Sequence, residues 1–196
     1  MYTQTATHQE FMALIKPHRK SLDNTAFRLT RNTIEAEDLL QETFYKAYKA
    51  FDQYQENTNF RAWIFKIMVN TYITGYRKTV RRPQNISYEN MEDFQLYQNA
   101  SVDASAYDSF FPNFDKDLFE DEIKNALEKL PYYFRIVVLL WDIEEFSYQE
   151  IANMIDIPVG TVMSRLHRGR ALLRNRLSKY ARSRGYTLDI SNVNPN

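Results

Sequence analysis

Residues 147–177 read SYQEIANMIDIPVGTVMSRLHRGRALLRNRL, which is the pattern of a short helix, a tight turn and a longer helix. Ser147, with Glu150 three residues later, is a capping-box pattern and begins a helix. Pro158 interrupts the helical period, because the residue before a proline is pushed out of the helical conformation while proline itself suits a first helical turn. The segment predicts a helix-turn-helix, in which the second helix enters the major groove of DNA.

The second helix of this segment is strongly cationic. Between Val162 and Gly185 the chain has eight lysines and arginines and no acidic residue. Apolar residues recur at helical spacing on one side, so we expect the polar side to face DNA. Its polar and basic residues are Thr161, Ser164, Arg165, His167, Arg168, Arg170, Arg174 and Arg176. The alternative is an amphipathic helix pair with a solvated basic face, which does not explain why the charge has a single sign.

The composition fits a folded protein of the cytoplasm. Hydrophobic residues make up 44% of the 196 residues, which is typical of globular chains. The chain has no cysteine, so a disulfide framework or a thiolate metal site is excluded. The N-terminus lacks a signal-peptide pattern, and no apolar run approaches the length of a membrane span. We therefore expect a cytoplasmic protein with no membrane insertion, no metal and no cofactor.

The formal net charge is zero, but the charge is distributed in three blocks. Residues 1–82 carry 13 basic and 8 acidic side chains, residues 83–122 carry one basic and ten acidic, and residues 123–196 carry 11 basic and 7 acidic. Two basic modules thus flank an acidic segment. This asymmetry says more about binding partners than the total does.

Helical periodicity dominates the first module. It predicts a helix or a helix pair over residues 8–31, with Phe27 among the inward positions, and a further helix that begins at Thr33. In that helix Tyr48 is expected to face inward, while the opposite face shows Glu37, Asp38, Gln41, Glu42 and Tyr45. Adjacent exposed acids are usually a docking or solvated face, and no histidine, lysine or metal ligand nearby in sequence would make them catalytic.

A long helix is predicted over residues 60–82, where aromatic residues alternate with cations. Such a mixture suits single-stranded DNA, because rings stack on bases while lysine and arginine bind phosphates. The candidates for contact are Lys66, Asn70, Tyr72, Tyr76 and Arg77. Ordinary core aromatics beside a solvated basic end remain an equal alternative for Asn70, Tyr72 and Tyr76, and Trp63 is better explained as a core residue.

The chain as a whole predicts an all-α fold with two helical domains. The first covers residues 8–82, a flexible acidic linker without periodicity covers residues 83–116, and the second covers residues 117–183 and contains the helix-turn-helix.

Three segments, in this order, resemble the extracytoplasmic-function (ECF) sigma factors, the two-domain branch of the bacterial sigma-70 family. EAEDLLQETFYKAY resembles the segment that binds the clamp of RNA polymerase, and NFRAWIFKIMVNTYITGYRK resembles the segment that opens and reads the −10 element. LPYYFRIVVLLWDIEEFSYQEIANMIDIPVGTVMSRLHRGRALLR resembles the domain that reads the −35 element. The resemblance implies binding to core RNA polymerase and to promoter DNA, and an anti-sigma protein as a further partner.

The resemblance also implies roles for individual residues. Asp38, Gln41 and Glu42 match the polymerase-binding face, and Asn70 matches a residue that contacts the −10 strand. In the second domain, Ser164 and Arg168 match −35 contacts. Met163 and His167 occupy two more contact positions, but their side chains differ from those of the family. The resemblance therefore does not indicate which −35 sequence this chain reads. NTYITGYRK and GTVMSRLHRGR look most like the subgroup controlled by zinc-containing anti-sigma proteins.

The family's −10 and −35 elements lie about 16–18 base pairs apart, which is roughly 55–60 Å of B-DNA. A linker over residues 83–116 extends to at most about 110 Å, and its like charges favour extension. It is therefore long enough to let the two domains read separate elements.

Three other functions have to be weighed. A purely structural adaptor would not need the cationic second helix. A stand-alone helix-turn-helix regulator would need a ligand pocket or a dimerisation helix, and would leave the first 80 residues unexplained. An enzyme would need a catalytic cluster, but His8, His18 and His167 are scattered, the chain has only four glycines, and no phosphate-binding loop is present. We therefore predict a promoter-specificity factor that is not an enzyme.

Overall fold

The computed structural model describes residues 2–55, 58–81 and 121–185, and the predicted linker over residues 83–116 lies outside them. The regular structure of the described residues is entirely helical, as the sequence predicts. The first domain contains α1 (Tyr2–Ile15), α2 (Arg19–Thr30), α3 (Thr33–Lys49) and α4 (Phe60–Arg81). The second contains α5 (Asp121–Glu128), α6 (Tyr132–Val138), α7 (Tyr148–Ile155) and α8 (Val159–Ser183).

The boundary between α2 and α3 is set by backbone conformation and a side-chain cap. Arg31 has φ 64°, in the left-handed region, and its N–H donates to Phe27 O, which ends α2. The Asn32 side chain then accepts hydrogen bonds from the N–H groups of Ile34 and Glu35, at 2.8 and 3.2 Å. The predicted start of α3 at Thr33 is therefore confirmed.

The first domain is held by the apolar faces of α1 to α4. Its fully buried residues include Leu22, Ala26, Leu29, Ala47, Ile64, Phe65, Met68 and Val69. Two residues predicted to face inward do not: Phe27 is 43% exposed and Tyr48 is 40% exposed. Each is one position away from an alanine that occupies the inward direction, so its side chain points about 100° away from the core. Tyr48 covers only the rim, where its ring meets Phe11 edge-on at 5.4 Å.

The predicted helix-turn-helix is present as α7 and α8. Both halves of the capping box form: Ser147 Oγ accepts from Glu150 N–H at 3.3 Å, and Ser147 N–H donates to Glu150 Oε2 at 2.9 Å. Asp156 (φ 54°) adopts the left-handed conformation that ends α7. Pro158 occupies the N-cap position of α8 without a side-chain cap, and its carbonyl accepts from the N–H groups of Thr161 and Val162. The buried residues Ile151, Val162 and Leu166 pack the two helices together.

A π turn over Leu139–Ile143 connects α6 to a sharp corner before α7. Glu144 N–H donates to Leu139 O at 3.0 Å and Phe146 N–H donates to Leu140 O at 2.9 Å. Glu145, between them, has φ 57°. The corner directs the Glu144 and Phe146 side chains towards the first domain, where the Phe146 ring packs against Phe65 with 5.1 Å between ring centres.

The crossing of α6 and α8 depends on a glycine. A Cβ placed on Gly169 would lie 2.8 Å from Val138 Cγ2 and 3.4 Å from Phe134 Cβ. We therefore expect Gly169→Leu to push the helices apart and to lower the free energy of unfolding by about 1–3 kcal/mol or more, measured by urea denaturation. Gly160→Ala in the same helix is the control, since nothing lies within 4 Å of its Cβ position, and alanine there should stabilise the helix by up to about 1 kcal/mol.

Candidate nucleic-acid interface

The first turns of α8 present the residues predicted to read DNA. Met163 and Ser164 are exposed, while Thr161, Arg165 and Arg168 are half-buried. The Ser164 hydroxyl donates to Thr161 O at 3.1 Å. Ser164 and Arg168 are four residues apart and so share one face of the helix. The structure therefore brings the predicted contact residues together at one end of α8.

Arg165 and His167 lie at the edges of this surface. The Arg165 guanidinium lies 5.7 Å from the centre of the Tyr133 ring, which holds it against the domain. Burial lowers the pKa of His167, and the neighbouring cations Arg174, Arg168 and Arg170 lower it further. Both effects favour the neutral imidazole over the charged form, and the Nε2 atom of this ring is buried.

Arg170 belongs to the interior of the second domain and not to its DNA face. Its Nε donates to Asp142 Oδ1 at 3.1 Å, and its Nη2 binds the same carboxylate. The two side chains are only 15% and 12% exposed. Burial raises the pKa of Asp142, against the opposing effect of the Arg170 hydrogen bonds and charge. The pair thus anchors α8 to the π turn. The sequence pattern did not distinguish this structural role of Arg170 from a DNA contact.

The two cations further along α8 differ in exposure. Arg174 is half-buried and Arg176 is exposed. Both were predicted to meet phosphate. Because Arg176 is the more exposed of the two, it is the better placed to contact a phosphate.

The predicted −10 residues of α4 differ in exposure. Lys66 and Arg77 are exposed, but Asn70 lies against the second domain. Its Nδ2 donates to Met154 O at 2.8 Å and to Lys66 O at 2.9 Å. In this arrangement the Asn70 amide bonds α7 and is not turned to solvent.

The two tyrosines of this group also contact the second domain. The Tyr72 hydroxyl accepts from Arg135 Nη2 at 2.9 Å, and burial raises its pKa although Arg135 opposes the shift. Arg135 is itself only 1% exposed. The Tyr76 ring packs against Tyr132, with 4.3 Å between ring centres. Contact of these tyrosines with DNA stays a prediction, and it requires the domains to separate.

The predicted polymerase face is open. Asp38, Gln41 and Glu42 are exposed on α3 and lie within one and a half turns of each other. Glu42 forms a surface ion pair with Lys46 at 3.1 Å, and Lys46 also lies 3.3 Å from Thr71 Oγ1 of α4. An exposed pair of this kind is weak and can be exchanged for a partner's cation.

Sequence reasoning missed one polar cluster, which joins the two domains around Glu144. Thr25 Oγ1 donates to its Oε1 at 2.6 Å and Arg61 Nη2 donates to its Oε2 at 2.7 Å, while Ser21 donates to the same carboxylate. These partners lie 83 to 123 residues earlier in the chain. The only local signal is an acidic residue directly after a buried apolar run.

Within residues 2–55, 58–81 and 121–185, no group of three or more histidine, cysteine or acidic residues is placed to bind a metal ion. None of the helices described has the length and apolar character to cross a membrane.

Comparison with known proteins identifies both domains. Sigma-70 region 2 matches residues 14–82, and Sigma-70 region 4 matches residues 120–173. The ECF RNA polymerase sigma factor SigW of Bacillus subtilis is 30% identical over 85% of this chain and 88% of its own length. SigE of Mycolicibacterium smegmatis, also an ECF RNA polymerase sigma factor, is 34% identical over 86% of this chain, which spans 62% of that relative.

Two solved structures share the fold. The sigma factor RpoE, in complex with the anti-sigma factor NepR from Bartonella quintana, is 26% identical, with a TM-score of 0.60 over 87% of this chain and 96% of RpoE. CnrH, in complex with the cytosolic domain of CnrY, is 23% identical, with a TM-score of 0.58 over 88% of this chain and 90% of CnrH, and it supports the fold alone.

Proposed function

The chain belongs to the ECF RNA polymerase sigma factors, and from this membership we propose that it binds core RNA polymerase and directs it to promoters that carry its −10 and −35 elements. The observation that carries the proposal is the capped helix-turn-helix with a cationic second helix, in the same chain as a separate domain that matches Sigma-70 region 2. A stand-alone regulator has no need of that second domain.

Each domain has a defined part in the proposal. The acidic face around Asp38, Gln41 and Glu42 binds a basic surface of the polymerase. The α4 face around Asn70 binds the separated −10 strand and assists opening. The first turns of α8 bind the major groove of the −35 element, where Arg168 contacts a base and Arg176 a phosphate. The bounds 8–82 and 117–183 are proposed for the two working domains.

The chemistry of transcription belongs to the polymerase, so the chain itself acts as a specificity factor without catalytic activity. We place it in the cytoplasm, where polymerase and promoter are found. We also propose an anti-sigma partner, since RpoE was solved in complex with one and matches this chain over both domains.

Transcription with purified core polymerase tests the proposal. On a randomised promoter library, the chain should select templates with two conserved blocks about 16–18 base pairs apart, roughly one B-DNA span of 55–60 Å. Core polymerase alone should select none. If the chain binds one short DNA site without polymerase and never stimulates initiation, it is a stand-alone regulator.

The role of Asn70 can be measured separately. We expect Asn70→Ala to relax preference at one −10 position, at a cost of about 1–3 kcal/mol, because an amide that hydrogen-bonds a base is lost. The measurement is open-complex formation on a panel of −10 point variants. Thr79→Ala is the control, since Thr79 is exposed further along α4 and its hydroxyl donates to Gly75 O of the same helix. If Asn70→Ala keeps the relative preference of the parent chain for every −10 variant, Asn70 does not read a base, and its role is the structural bond to Met154.

A further inference from the structure

The interface between the two domains is built around one buried carboxylate. Glu144 is 5% exposed, and each side chain that bonds it belongs to the first domain: Ser21 and Thr25 on α2, and Arg61 on α4. Arg61 Nη2 also donates to the Glu144 backbone oxygen at 2.6 Å. An ion removed from water is costly unless it is paired and hydrogen-bonded, so this socket is specific for a carboxylate.

Apolar contacts hold the carboxylate in its socket. The Arg61 guanidinium lies 4.2 Å from the centre of the Phe146 ring, in addition to its bond with Glu144. Phe146 is buried against Phe65 of α4. The corner at Glu145 (φ 57°) directs Glu144 and Phe146 to the same side. Both residues therefore enter the first domain together.

Two more polar contacts extend the interface along α4. Asn59 Nδ2 donates to Glu150 Oε1 at 3.1 Å, and Asn70 Nδ2 donates to Met154 O at 2.8 Å. The Glu144 socket and the proposed −10 surface are thus parts of one interface. We call the structure with the two domains packed together the closed arrangement. The interface that stabilises it also covers Asn70, which is proposed to read DNA.

The closed arrangement cannot read both promoter elements at once. Asn70 is hydrogen-bonded to Met154, and Ser164 follows Met154 by ten residues. Ten residues extend over at most about 36 Å, and less when helical. The two elements are separated by roughly 55–60 Å. The domains must therefore part before α4 and α8 reach their sites together.

We propose that the free chain is autoinhibited by an internal latch, in which Glu144 of the second domain occupies the Ser21–Thr25–Arg61 socket of the first and keeps Asn70, Tyr72 and Tyr76 of α4 covered. The proposal rests on the proposed function for its consequence, but the latch itself is a property of the free chain. Opening removes the cover from Asn70, Tyr72 and Tyr76 and separates the two DNA-reading helices.

The latch predicts the behaviour of charge variants. Glu144→Lys places a cation against Arg61 and should open the chain, and Arg61→Glu combined with Glu144→Arg should close it again by restoring an ion pair. Glu122→Lys makes the same change of net charge at an exposed residue of the second domain and should leave the chain closed. Ser21→Asp is a second opening variant, which sets a carboxylate against Glu144 from the first domain.

Energy transfer between dyes measures the opening directly. The chain has no cysteine, so Asp52→Cys and Lys179→Cys, both exposed and one in each domain, give a single labelled pair. We expect a short distance in the parent chain and in Glu122→Lys, and a longer, broader distribution in Glu144→Lys and Ser21→Asp. Circular dichroism identifies a variant that has unfolded, and the other opening variant then decides. A parent chain that is already extended, or opening variants that keep its short distance, would overturn the latch.

Transcription with core polymerase gives the functional consequence. The polymerase face is already exposed in the closed chain, so the effect should appear in promoter binding. If about nine-tenths of the polymerase-bound chain is closed, opening should lower the promoter concentration needed for half-maximal transcription about tenfold, with the same plateau. An unchanged or higher concentration would mean that closure does not inhibit. If no form of the chain supports promoter-specific transcription although the distances change as expected, the latch stands and the proposed function fails.

Discussion

Reversing the charge of the α3 face, by Asp38→Lys together with Glu42→Lys, is expected to abolish binding to core RNA polymerase. The two residues are exposed and one turn apart, so the change replaces two anions with two cations on one patch of the surface. Like charges brought together across an interface cost several kcal/mol, which is enough to remove a moderate affinity. Binding to labelled core polymerase, measured by fluorescence anisotropy, checks this result.

The same double variant should fold normally, because neither side chain contributes to the core. Its melting temperature should stay close to that of the parent chain, apart from the loss of the exposed Glu42–Lys46 pair, which is worth at most about 1 kcal/mol. Glu10→Lys with Asp52→Lys, two exposed acids outside the α3 face, makes an equal change of net charge and should keep its affinity. Loss of binding in this control too would indicate general repulsion instead of a docking face.

The second large effect concerns Arg168. We expect Arg168→Ala to cost about 1–3 kcal/mol on the cognate −35 element and to relax discrimination at one base pair, because arginine donating two hydrogen bonds to guanine is the commonest specific contact. The measurement is holoenzyme binding to a panel of −35 point variants at several salt concentrations.

Arg176→Ala is the matched control for Arg168, since it removes an exposed arginine two turns along the same helix. It should weaken all sequences alike and reduce the slope of log K against log salt by about one, as expected for a phosphate contact. A uniform loss for Arg168→Ala, with every base preference kept, would place Arg168 with the phosphate contacts.

Local signals predicted the helices well. The capping box at Ser147 and Glu150, the break at Pro158 and the start of α3 at Thr33 depend on residues within one or two turns of each other, and all three are present. The exposure of Asp38, Gln41 and Glu42 follows from the same periodicity. Structural features that depend only on residues close together in the sequence can therefore be predicted from the sequence pattern.

The packing of one domain on the other could not be predicted in this way. Glu144 looks like an ordinary acid after an apolar run, and its partner Ser21 is 123 residues away. Arg170 looks like its cationic neighbours until Asp142 is found beside it. Phe27 and Tyr48 show that the pattern can also fail within a single helix. Each is apolar and adjacent to an inward position, so the pattern assigns it to the core, but the helix geometry directs its side chain outward.

The π turn over Leu139–Ile143 has a consequence for how the chain tolerates insertion and deletion. A π turn contains one residue more than an α turn. The side chains after it therefore point in different directions from those that a continuous α-helix would give. Asp142 and Glu144, two residues apart, serve different domains: one binds Arg170 of its own domain and the other binds Arg61 of the first. Deleting one residue from the turn would allow a regular α-helix, but it would rotate everything that follows by about 100°. A sequence of this family that lacks that residue can therefore retain its helix-turn-helix and still lose one of these two attachments.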